Sequence, residues 1–78
     1  MATSKVADWK VLGVNVRRLR DRYDWTQSDL MERTGIPISM LSRIENGGWC
    51  HGRTLVKLAG AFECSLDYLL RDPPQRKP

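Results

Sequence analysis

The sequence is poor in the groups that most catalysis, metal binding and membrane anchoring require. Among its 78 residues are one histidine and two cysteines, and no apolar run approaches the roughly twenty residues that cross a bilayer. Met1-Ala2-Thr3-Ser4-Lys5 is followed by no signal-peptide core, so the chain is expected to stay in the cytoplasm, away from any membrane. Cys50 and Cys64 are too few and too irregularly placed for a disulfide framework and are expected as free thiols. A zinc site would need Cys50, His51, Cys64 and a fourth ligand that no usual spacing offers, so no metal is expected. The lone His51 has no activated nucleophile for a partner, and neither paired carboxylates nor a phosphate loop is present. Catalysis and cofactors are therefore not expected. A chain of this length makes one domain with a modest core, too small for a cleft enclosed by two lobes. Strand-like alternation and internal repeats are also missing.

What the chain does contain is positive charge and helical periodicity. Thirteen Lys and Arg against nine Asp and Glu give a formal charge of +4, which suits a polyanionic partner without identifying one. Residues 1–8 are small and polar and read as a flexible arm, and residues 71–78 as a basic, proline-rich tail. The domain between them, residues 9–70, is expected to be all-α, with five helices. From Trp9 to Tyr23, the residues Leu12, Val16, Leu19 and Tyr23 recur at helical steps. Thr26 stands as an N-cap with Asp29 three residues on, so a second helix begins at Gln27 and buries Leu30 and Met31. Gly35 stops it, and Pro37 keeps Ile36 out of the α region, so the chain turns sharply before a third helix near Ile38. Leu41 and Ile44 then face inward. Leu55, Leu58, Ala59 and Phe62 mark a fourth helix over 53–62, in which Gly60 is costly, and Ser65 caps a short fifth one carrying Leu66, Leu69 and Leu70.

The segment from Trp25 to Asn46 resembles the phage-repressor, Cro and Xre helix-turn-helix family, and the resemblance extends from about Leu12 to Leu70. It rests on Gln27, on Leu30, Gly35, Leu41 and Ile44, and on Glu45-Asn46-Gly47. Met31 departs from the pattern where a small residue is usual, and Thr34 where an apolar one is. The resemblance implies a compact repressor-like domain whose third helix enters the major groove of double-stranded DNA at an operator. It also implies an inward salt bridge between Arg20 and Glu45.

On the outward face of the third helix, Ile38, Ser39, Met40, Ser42 and Arg43 are the candidates for base reading. Arg43 leads them, since its planar fork can donate twice to a guanine, with a phosphate clamp as its other reading. Ile38 offers only apolar contact, most usefully with a thymine methyl. Met40 either reaches the DNA or packs at the edge of the core. Thr26, Gln27, Asn46 and Arg53 occupy flanking places suited to phosphate oxygens. Trp49 either lies on the DNA backbone or packs back on the third helix, and packing is favoured.

One short helix in one groove seldom binds tightly, so a homodimer reading half-sites about 10 base pairs apart is expected. Leu66, Tyr68, Leu69 and Leu70 are its candidate interface. The function so implied is that of a small transcriptional regulator, most simply a repressor. The alternative is an antitoxin-type module that chiefly holds a toxin or other protein partner and regulates its own gene through DNA.

Overall fold

Side-chain caps open three of the five helices. In the computed structural model, which describes residues 8–71, five helices follow one another: α1 (Trp9–Arg22), α2 (Gln27–Thr34), α3 (Ile38–Glu45), α4 (Gly52–Phe62) and α5 (Leu66–Leu70). The arm and tail expected from the sequence lie outside the described residues except at their inner ends. Asp8, assigned to the arm by its sequence, is the N-cap of α1, its carboxylate accepting from the Lys10 and Val11 amides. Thr26 and Asp29 form a reciprocal capping box on α2. The Thr26 amide, donating to Asp29, holds that carboxyl below its ordinary value. The box thus favours folding above the usual carboxylate range and is lost as the pH falls through the depressed value. Ser65 caps α5 by accepting from the Tyr68 amide at 3.0 Å.

The core lies where the five helices meet. Leu12 and Val16 of α1, Leu30 of α2, Leu41 and Ile44 of α3, Leu58 of α4 and Leu69 of α5 are shut off from solvent. Each such side chain contributes about 1.5–3 kcal/mol by leaving water. Tyr23 is not part of that buried stripe. It follows the last turn of α1, half-exposed, and stacks on Trp25 at 4.6 Å while its hydroxyl donates to the Phe62 carbonyl at 3.1 Å. Trp25 in turn stacks on Phe62 at 5.6 Å, so three rings close the gap between the end of α1 and α4. Among the described residues no helix is long and apolar enough to cross a membrane.

Leu69 corrects the sequence-based assignment of α5. It is 0% exposed and belongs to the core, so it cannot contribute a free surface to a dimer. The reason is length: five residues make little more than one turn, and a helix that short needs tertiary contacts to exist. Leu69 supplies one contact and Asn15 another. The Asn15 amide, buried in α1, donates to the carbonyls of Leu69 at 2.7 Å and Arg71 at 2.8 Å, satisfying acceptors that the end of α5 leaves open.

Gly13 sets the distance between α1 and α3. A Cβ there would fall 2.6 Å from the Ile44 carbonyl oxygen and 2.8 Å from that of Glu45, and both are backbone atoms that cannot swing aside. Gly60 is the opposite case, exposed on α4 with open space for 4 Å around the place a Cβ would take. Gly60→Ala should therefore raise stability by about 1 kcal/mol, the helix-propensity difference. Gly13→Ala should gain the same propensity yet lose more to overpacking, for a net destabilisation of about 1–3 kcal/mol. Urea unfolding of the two variants checks the opposite signs.

Candidate nucleic-acid interface

The turn between α2 and α3 is built by three adjoining devices. Gly35 takes the left-handed conformation at φ 79° and donates its N–H to the Met31 carbonyl at 2.7 Å. Thr34, the polar departure from the family pattern, serves the turn directly: its hydroxyl donates to the Leu30 carbonyl at 2.7 Å and accepts from the Ile36 amide at 3.1 Å. Ile36 is buried and anchors the loop, and Pro37 then starts α3 with extended backbone. Met31 is half-buried, packed against the core.

With Leu41 and Ile44 turned inward, the opposite side of α3 is left to solvent. Ile38, Ser39 and Arg43 are exposed there and Ser42 is half-buried, at three- and four-residue spacings that align them on one face. Met40 takes the second of its two expected places, at the edge of the core. It lies four residues before Ile44, on the inward side, and packs half-buried against the core.

Arg20 and Glu45 form a two-point ion pair. Arg20 Nε donates to Glu45 Oε2 at 2.8 Å and Nη2 to Oε1 at 3.0 Å, while Nη1 donates to the Trp25 carbonyl at 3.0 Å. The side chains are only 15% and 5% exposed, so the charges are largely out of water. The hydrogen bond to Glu45 raises the Arg20 pKa above its ordinary value, against the opposing effect of burial.

Gln27 joins this cluster. Its amide donates to Glu45 Oε1 at 3.3 Å, so the side chain expected to meet a phosphate is partly turned inward. Thr26 spends its oxygen as an acceptor in the capping box, which leaves the hydroxyl proton to donate elsewhere. Asn46 is the exposed C-cap of α3, and Arg53 is exposed in the first turn of α4. An arginine there gains nothing from the helix dipole, whose positive end it shares. Trp49 is 52% exposed and edge-on to His51, and it meets α3 through Arg43, whose guanidinium carbon stands 5.8 Å from the centre of its ring, while staying outside the core. Cys50 beside it is a buried free thiol, its pKa pushed up by burial with Arg43 opposing.

The helix-turn-helix family designated HTH_3 matches residues 16–69, and the chain belongs to that family. No curated protein shows a sequence match. Among solved structures, the P22 c2 repressor in complex with a synthetic operator is 28% identical, with a TM-score of 0.73 over 80% of this chain and 96% of that one. SinR, the master regulator for biofilm formation, in complex with DNA, is 26% identical, with a TM-score of 0.72 over 77% of this chain and 98% of that one. A hypothetical transcription factor from Neisseria shares the fold at 24% identity, with a TM-score of 0.78 over 94% and 90% of the two chains. These relatives are named as a repressor, a regulator and a transcription factor, and the family is not one of enzymes.

Removing Arg20 would strand the Glu45 carboxylate. Arg20→Ala is expected to cost about 3 kcal/mol, as breaking a buried ion pair does. Arg17→Ala, on the exposed side of the same helix, should cost less than about 0.5 kcal/mol. Thermal melts of the two variants compare them directly, and equal midpoints would mean that the pair contributes nothing.

Proposed function

We infer that this chain is a DNA-binding transcriptional regulator that lays α3 in the major groove of an operator. The observation that carries the reading is the row of Ile38, Ser39, Ser42 and Arg43 on the open side of a helix whose other side is locked to α1 and α2. Such a helix can enter a groove without unfolding anything, and its side chains meet base edges in a fixed register. Operator and DNA complexes of relatives at 28% and 26% identity support the same assignment.

Within this reading, Arg43 donates its fork to a guanine, Ile38 contacts a thymine methyl, and the two serines exchange hydrogen bonds with neighbouring bases. Thr26, Gln27, Asn46 and Arg53 hold phosphates on either side, which fixes register without selecting sequence. The amides opening α3 add to this, because Pro37 provides no side-chain cap and the helix start favours an anion. Bound at a promoter, the protein represses by occlusion.

The functional unit is a homodimer. Leu66 is 41% exposed on α5, and Tyr68 and Leu70 beside it are half-buried, a larger apolar surface than a lone domain needs. Two copies joined there present two copies of α3 to successive turns of the duplex.

Two measurements test these assignments. Arg43→Ala should relax base preference at one position of each half-site by about 1–3 kcal/mol in a binding-site selection, and an unchanged selected sequence would remove Arg43 from the base-reading group. Leu66→Asp should leave the fold intact, since the residue is already wet, and should shift sedimentation from dimer to monomer. A wild-type protein that sediments as a monomer while filling a full operator would refute the interface.

A further inference from the structure

Trp49 has the most exposed aromatic ring among the described residues, and it occupies the loop that leads away from α3. An indole left in water forgoes much of its favourable burial, so its contacts carry weight. One neighbour is His51, whose ring meets it edge-to-face with centroids 4.9 Å apart. The other is Arg43, whose guanidinium carbon stands over the indole, 5.8 Å from its centroid.

Gly48 explains how the arginine arrives there. Its N–H donates to the Arg43 carbonyl at 2.8 Å, which folds the loop back against the end of α3. A Cβ on Gly48 would lie 2.5 Å from Arg43 Cγ, 3.3 Å from Cδ and 3.0 Å from the Arg43 carbonyl oxygen. The arginine stem therefore lies across the bare glycine, and the head continues onto Trp49. Two consecutive loop residues guide one side chain along most of its length.

We propose that Trp49 is a positioning residue for Arg43: with Gly48 beneath the stem and the indole beneath the head, the guanidinium is held before DNA arrives. This rests on the reading of Arg43 as the guanine contact. An arginine that meets a base must lose the freedom of several rotatable bonds, and restricting it in the free protein reduces that loss. A guanidinium held over a ring through its face keeps its in-plane N–H donors for guanine. His51 adds an edge-to-face contact to the same indole. Trp49 thus sharpens base preference without touching a base.

The test combines Trp49→Ala, Trp49→Phe, Arg43→Ala and the Trp49→Ala/Arg43→Ala double variant of the full chain. Each is titrated against the selected operator, the operator with its Arg43-dependent base pair replaced, and a random duplex. Trp49→Ala should lower preference for that base pair by about two- to fivefold, the size of an exposed cation–π contact, and leave the random duplex unaffected. Trp49→Phe should restore most of the preference, and the double variant should discriminate no worse than Arg43→Ala.

Where Arg43→Ala itself loses preference, a Trp49→Ala variant that keeps its preference, or that weakens all three duplexes alike as a backbone contact would, overturns the proposal. So does a double variant whose losses simply add. The free protein separates this from the base-reading assignment. The Arg43 Nε–H proton resonance should carry a ring-current shift that disappears in Trp49→Ala. Absence of that shift defeats the positioning role. Its presence together with an Arg43→Ala variant of unchanged base preference upholds the positioning and defeats the guanine contact.

Discussion

A carboxylate buried at the C-terminal end of a helix is the constraint around which this domain is arranged. Glu45 is the last residue of α3, where the helix dipole already concentrates negative charge, and its side chain is almost wholly withdrawn from water. Either condition alone disfavours an ionised carboxyl, and together they demand a cation with directional donors. Arg20 meets that demand with two hydrogen bonds to the carboxylate and a third to Trp25, and the Gln27 amide adds a further donor. The groups that answer one charge therefore come from α1 and the start of α2, and the Trp25 carbonyl of the α1–α2 link holds Arg20 in place. The end of α3 is thereby fixed to two other helices of the chain.

This anchoring works only because α1 and α3 approach closely, and Gly13 permits the approach by offering no side chain to the Ile44 and Glu45 carbonyls. The two features are complementary. The glycine removes an obstacle and the ion pair supplies the attraction, one near the start of α1 and the other near its end. Arg43 sits outside this rigid arrangement, on the opposite face and toward the loop. The division suits the proposed function: α3 is held by what it buries, and Arg43, the longest side chain on its open face, lies against the loop that follows it.

Much of this is legible in the chain. Thr26 and Asp29 mark the start of α2, Gly35 its end, and Leu41 and Ile44 the inward side of α3, because capping and periodicity act over a few residues. What escapes a sequence reading depends on contacts distant along the chain. Asn15 reads as a surface polar residue until α5 delivers three carbonyls to it, and only its place beside Val16 on the buried stripe hints otherwise. Gly13 carries a similar hint, a poor helix former in mid-helix with no local excuse. Leu69 is misread because a helix of five residues is too short for its apolar residues to define one buried side. The exposure of Trp49 escapes a sequence reading because a loop has no periodicity at all. For the interface, residue types and spacing indicate the face of α3, whereas Gln27's attachment to Glu45 follows from neither.

With Trp9 replaced by phenylalanine, the unequal surroundings of the other two of its three tryptophans make the protein its own optical probe. Trp25 lies in a three-ring stack with Tyr23 and Phe62 and carries the Arg33 guanidinium 4.2 Å above it, so its emission is bound up with the integrity of the fold. Trp49 is wet and is met by the His51 ring and the Arg43 cation, so its emission follows events at the edge of α3. Long-wavelength light from an exposed indole and shorter-wavelength light from a stacked one can be separated in a single spectrum. Denaturation and occupancy of the α3 face would then appear as two signals from one unlabelled molecule.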